Sequence, residues 1–164
     1  LRLAAMCSLP RGYSEYGVHL VRGTPKQQRK HRSWLSASVL DRSDIHSEVP
    51  RIDKRALDNI APRGETSEQR RQRVYNAYQQ QKNRGPHFNA ELSVKEIETF
   101  CELKEKEKML LDKAMDRLKL SARAYHRILK LARTIADIDE SLNIEMPHLT
   151  EAISYRSLNR FINN

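Results

Sequence analysis

The chain has 164 residues, room for one domain or for one small domain plus part of another. Its aromatic share of 6% and charged share of 31% require a core that is mostly aliphatic and small. No apolar run reaches the roughly 18 residues of a membrane-crossing helix.

The net charge of +9 is confined to one part of the chain. Residues 1–86 hold 17 Lys/Arg against 8 Asp/Glu, and residues 87–164 hold 13 against 13. The basic part could bind nucleic acid or another polyanion, but no base-reading motif or interleaved aromatic platform stands out in it. Cys7 and Cys101 match no metal or redox spacing, which fits a reducing compartment. The only apolar stretch at the start is LAAM, too short for a secretory leader, so the expected location is cytoplasmic. The chain opens on Leu1 rather than methionine, and a longer N-terminal part is expected before it.

In chain order, residues 1–6 read as a short strand leading into a loop. Pro10, Pro25 and three glycines make residues 7–25 irregular. Residues 25–40 offer only Trp34, Leu35, Val39 and Leu40 as an apolar face for a helix. Ile45 and Val49 fall on one face of a possible strand over 44–49, stopped by Pro50. Residues 51–65 read as a linker.

From Thr66 the character changes. Thr66-Ser-Glu-Gln69 fits a capping box, in which the N-cap hydroxyl and the N3 side chain satisfy each other's backbone donors. It opens a helix over about 67–82, with Val74, Tyr75 and Tyr78 as its apolar stripe, ended by Gly85-Pro86. Ser93-Val-Lys-Glu96 is a second capping box, for a short helix to Cys101. A third helix spans 102–118 with Met109, Leu110, Ala114, Met115 and Leu118 inward. The run KEKEK at 104–108 reads as its solvated face. Residues 120–139, LSARAYHRILKLARTIADID, carry the strongest signal: apolar residues at 120, 125, 128, 129, 132, 135, 136 and 138 make one buried helix face. Ser121 is placed as its N-cap. Asp137-Ile138-Asp139-Glu140 reads as an acidic surface terminus. Pro147 opens a fifth helix through Leu149, Ala152, Ile153 and Tyr155. Residues 66–156 are expected to form the stable unit, a bundle of amphipathic helices with short loops.

Arg123 lies in the first turn of the fourth helix, where the electropositive helix end disfavours a cation by a few tenths of a kcal/mol. Spacing leaves two readings open: a solvated arginine, or a phosphate sensor beside unpaired backbone N–H groups. No G-x-x-x-x-G-K-[ST] occurs in the chain. The six histidines form no ligand pair, and no nucleophile elbow is present. No self-sufficient active site and no metal site are expected.

The blocks AAM (4–6), LDR (40–42), DIH (44–46), EVPR (48–51), NAEL (89–92) and LSARAYHRILKLARTIADID (120–139), extended by HLTEAISYR (148–156), resemble the C-terminal part of the Mg-chelatase-like AAA+ ATPases, closest to the bacterial competence-associated helicase group. The resemblance implies a mainly α fold: a helical lid domain over 66–164, a linker at 51–65, and over 1–50 a degenerate edge of the α/β ATPase core. It implies that Arg123 is the lid's sensor-2 arginine, touching the nucleotide γ-phosphate in its own subunit. It implies that Arg42 is an arginine finger reaching a neighbour's nucleotide. Cys7 stands at the sensor-1 position, where the family has asparagine, and a thiol is a poor replacement donor. The competence group's C-x-C pairs are replaced by Leu9, Arg11, Val21 and Gly23. ATP and Mg²⁺ are expected only with a P-loop half lying before Leu1. The expected partners are same-family subunits in a ring, expected to be hexameric, with DNA as a further possibility and no membrane. Two other functions stay open: an ATP-independent basic module for nucleic acid, and a Mg-chelatase subunit proper.

Overall fold

A computed structural model describes residues 43–47 and 64–156. The strand expected at 1–6, the helix expected at 25–40, Cys7, Arg42 and most of the linker lie outside the described residues. Asp44–Ser157 belong to one compact unit. Among the described residues this unit is helical throughout, with no strand. Its elements are α1 (Ser67–Arg84), a 3-10 turn (Asn89–Glu91), α2 (Val94–Phe100), α3 (Glu105–Leu118), α4 (Ala122–Ile138) and α5 (Met146–Ser154). No helix among the described residues is long and apolar enough to cross a membrane.

Both predicted capping boxes form. Thr66 N–H donates to Gln69 Oε1 at 2.9 Å while Gln69 N–H donates to Thr66 Oγ1 at 3.3 Å. Ser93 and Glu96 make the same exchange at 2.8 and 3.4 Å. Each such cap satisfies donors that no helical carbonyl can reach, and contributes about 1 kcal/mol. The third box runs on different chemistry. At the start of α5, Glu145 N–H donates to the imidazole Nδ1 of His148 at 3.0 Å, and His148 Nε2 stands 3.2 Å from Asp139 Oδ2. Helix α3 ends on Lys119 in the left-handed region, φ 50°. Leu120 N–H then folds back to the Met115 carbonyl at 3.1 Å, the bond that usually calls for glycine at the turn.

Helix α4 is the hub, packing mainly against α5 and α1 and also touching α2 and the 3-10 turn. Ile128, Ala132 and Ala136 are fully buried along it and belong to the same core cluster as Leu149 and Ala152 of α5 and Leu111 of α3. The alanines let backbones approach closely, while each buried Leu or Ile contributes about 1.5–3 kcal/mol.

Four expectations need correction. Residues 43–47 form no strand: the chain bends at Asp44, and His46 N–H donates to the Tyr155 carbonyl at the end of α5, 3.0 Å away, not to a sheet neighbour. Met109 faces solvent and Leu111 is buried in its place. The inward face of α3 runs through 107, 111, 115 and 118, and residue 109 lies off that line. Glu107, inside the supposedly solvated KEKEK run, is therefore buried. The α1 stripe also faces out: Val74, Tyr75 and Tyr78 are 63%, 55% and 45% exposed, and α1 packs through Ala77.

Candidate functional site

The N-terminal turn of α4 is built as its sequence dictates. Ser121 takes extended backbone angles, and its hydroxyl accepts from Ala124 N–H at 3.1 Å. Tyr125 N–H closes on the Ser121 carbonyl, also at 3.1 Å. Ala124 is fully buried and anchors the turn against the bundle. Arg123 is the second helical residue and is exposed. The turn contains no acidic residue. An exposed guanidinium thus stands at the electropositive end of a helix, where a cation is disfavoured by a few tenths of a kcal/mol.

One turn further on, Arg127 is half-buried, and its Nη1 donates to Asp44 Oδ1 at 2.6 Å. With the His46–Tyr155 backbone bond, this fastens residues 44–46 to the bundle at two points. Of the three residues singled out by the family resemblance, the described structure places Arg123. Arg42 and Cys7 lie outside the described residues.

A second constellation escaped the sequence reading. Asp137 is fully buried, not a surface terminus. Its carboxylate receives Arg84 from α1, with Nη1 donating to Oδ2 at 3.1 Å and Nη2 to Oδ1. It also receives Arg133 Nε at 3.0 Å and the side-chain amide of Asn89 at 2.8 Å. Arg133 also donates from Nη1 to the Leu142 carbonyl and from Nη2 to the Ser141 carbonyl, at 2.8 and 2.6 Å. Burial pulls the Arg133 guanidinium below its ordinary pKa, against the opposing pull of Asp137. The signal was present in the spacing. Residues 133 and 137 continue the 129, 132, 136 rhythm of the inward face, and opposite charges at i, i+4 can bury each other. Beside this network lies Cys101, whose thiol burial pushes up to about 11, so it is inert as a nucleophile at neutral pH.

Residues 64–156, from just before α1 to just after α5, match the model of the family described as magnesium chelatase, subunit ChlI C-terminal. The chain belongs to this ChlI C-terminal family. It is also 43% identical over 160 residues to the competence protein ComM of Haemophilus influenzae. It is 41% identical to YifB of Escherichia coli K12 and 38% identical to YifB of Salmonella typhimurium, again over 160 residues. These alignments cover 98% of this chain and 31% of each relative. The chain therefore spans about a third of the length of the curated relatives it matches.

Within this ChlI C-terminal bundle, no group of three or more His, Cys, Asp or Glu side chains among the described residues is placed to hold a metal ion. His87 and Glu96 form a titratable pair, His87 Nδ1 lying 2.7 Å from Glu96 Oε1. The hydrogen bond to Glu96 raises the His87 pKa, and the hydroxyl of Ser93 followed by His87 lowers Glu96 to about 2. Glu96 sits at the capped start of α2 and His87 in the turn after α1, so the pair is a local clamp between the two.

Proposed function

We propose that this chain is the lid region of a Mg-chelatase-like AAA+ ATPase in which Arg123 acts as the sensor-2 contact to the γ-phosphate of ATP. The observation that carries this is the first turn of α4. There an exposed guanidinium stands in the electropositive first turn of a serine-capped helix. The residues present fit one phosphate contact. They do not supply a cradle, since the sequence has no G-x-x-x-x-G-K-[ST] segment. The triphosphate and Mg²⁺ would be held by a P-loop half outside these residues.

Arg42 is the arginine finger in this proposal, stabilising charge on the phosphoryl group of a nucleotide bound by the neighbouring subunit of a ring. This role rests on the family resemblance of the LDR block at 40–42. Cys7 at the sensor-1 position would leave the attacking water poorly held. The proposed domain order is an ATPase-core edge over 1–50, a linker over 51–65 and the lid from 66. The relative named as a competence protein makes a cytoplasmic DNA motor in competence the proposed role of the whole assembly.

The test is a chimera in which this chain replaces the matching third of Haemophilus influenzae ComM, assayed for ATP turnover. Arg123→Ala should lower turnover by a factor of ten or more. Arg42→Ala should lower kcat by about 10³-fold or more, as loss of an arginine finger does. Mixed rings should show Arg42 acting across subunits and Arg123 within its own. Unchanged kcat/KM in a folded Arg123→Ala chimera overturns the assignment.

A further inference from the structure

Helix α1 has two working faces. The inner one carries Ala77 against the bundle and Arg84 into the buried carboxylate of Asp137. The outer one carries Arg71, Tyr75, Tyr78 and Lys82. Their i, i+4, i+7, i+11 spacing places them within about 60° of one another and roughly opposite Ala77. All four are exposed. Val74 borders the stripe, and Phe88 from the turn after α1 stacks on the Tyr78 ring with centroids 5.1 Å apart and planes at 29°. Single exposed rings are ordinary, but here three rings and a valine on the side facing away from their own bundle each keep between 37% and 63% of their surface exposed.

The chemistry around the rings selects the occupant. The neighbours on the same side are amides, Gln72, Gln79 and Gln81, with no leucine, isoleucine or methionine for a dry protein contact. A cation stands at each end, Arg71 and Lys82, about 16 Å apart along the helix axis. One carboxylate borders the stripe: Glu68 lies 3.9 Å from Arg71, with both side chains 79% exposed. A phosphate displaces such a solvated contact at little cost. Exposed rings flanked by cations and amides are what unpaired bases and their backbone need, since every base has a π-face and every linkage an anion.

We propose that the outer face of α1 is a stacking platform for single-stranded nucleic acid. Tyr75 and Tyr78 receive bases, Phe88 backs Tyr78, and Arg71 and Lys82 take flanking phosphates. Recognition is sequence-tolerant. This site is separate from the ATPase reading and names where a nucleic-acid partner would touch the lid, so it is tested without nucleotide.

The test is fluorescence anisotropy of the 164-residue chain with labelled oligo(dT), oligo(U) and a duplex of about twenty units each, at about 50 and about 200 mM salt. Far-UV circular dichroism confirms that each variant is folded. Tyr75→Ala with Tyr78→Ala should weaken single-strand binding tenfold or more and leave the salt dependence unchanged. Tyr75→Phe with Tyr78→Phe should restore binding, because the ring is what stacks. Arg71→Gln with Lys82→Gln should flatten the slope of log affinity against log salt by about 1.4. Comparing oligo(dT) with oligo(U) identifies whether DNA or RNA is preferred. Absence of single-strand binding at low salt, or equal binding by the native chain and the folded double alanine variant, overturns the proposal. If the alanine variant instead loses only self-association in sedimentation, the face is a protein contact and the proposal fails.

Discussion

Asp137 and Arg84, 53 residues apart in the chain, meet inside the bundle with both carboxylate oxygens bonded to one guanidinium. Arg133 and Asn89 complete the shell around the same carboxylate. The pair links the last turn of α1 to the last turn of α4. Asp137→Asn keeps the shape but removes the charge, leaving two inward-facing arginines opposite a neutral amide. The expected loss is about 3 kcal/mol, since removing one partner of a buried pair leaves the other uncompensated. Thermal melting should show a fall in midpoint of roughly 12 °C or more. Arg84→Met with Asp137→Asn should cost less than the two single changes added together. Strict additivity would show that the charges do not act on each other.

The start of α4 allows folding and function to be separated. Ser121→Ala removes the hydroxyl that caps Ala124 N–H and should lower stability by about 1 kcal/mol. Arg123→Ala should stay within about 0.5 kcal/mol, because Arg123 is exposed and an exposed contact there contributes little. Urea titrations of the two variants check this. A large loss of stability in Arg123→Ala would mean that the guanidinium holds the bundle together and is not available to a phosphate.

The His87–Glu96 clamp has a pH window. Glu96 is depressed to about 2 from its ordinary 4.5, so its contribution is fully present above about 4.5 and is lost as pH falls towards 2. His87 is raised above its ordinary 6.5, so its contribution is present below 6.5 and is lost as pH rises through the raised value. The stability difference between native chain and His87→Gln should therefore be largest between about 4.5 and 6.5 and should shrink on either side. A difference that stays flat from pH 5 to pH 9 would show that the charged pair contributes nothing.

Lys119 carries a β-carbon through a left-handed turn that disfavours it by about 1–2 kcal/mol. Lys119→Gly relieves this and loses some of the gain to the freer unfolded chain. The expected net effect is stabilisation by up to about 1 kcal/mol, read as a higher urea midpoint. Destabilisation would point to a contact of the lysine side chain that outweighs the turn.

Helix starts were legible in the sequence because they are local. Thr66, Ser93 and Ser121 each announce a cap within three residues, and all three caps form. The helical period of 120–139 likewise located the hub. Sidedness was harder where apolar residues are sparse. Tyr75 and Tyr78 supply most of the ring surface of α1, yet the helix docks through Ala77 and Arg84, because small size and opposite charge decided the contact, not hydrophobicity. The same holds for Asp137, whose partner lies on another helix and cannot be inferred from neighbouring residues. In the candidate site, the sequence supplied Arg123 and its serine cap, while the Arg127–Asp44 pair depends on an 83-residue separation that no local pattern encodes.

The carboxylate between α1 and α4 also has a mechanical consequence. Swinging either helix away from the other would strand a charge in an apolar interior, so bending within the bundle is disfavoured far more than displacing it whole. A displacement of the last turn of α4 would therefore carry the last turn of α1 with it.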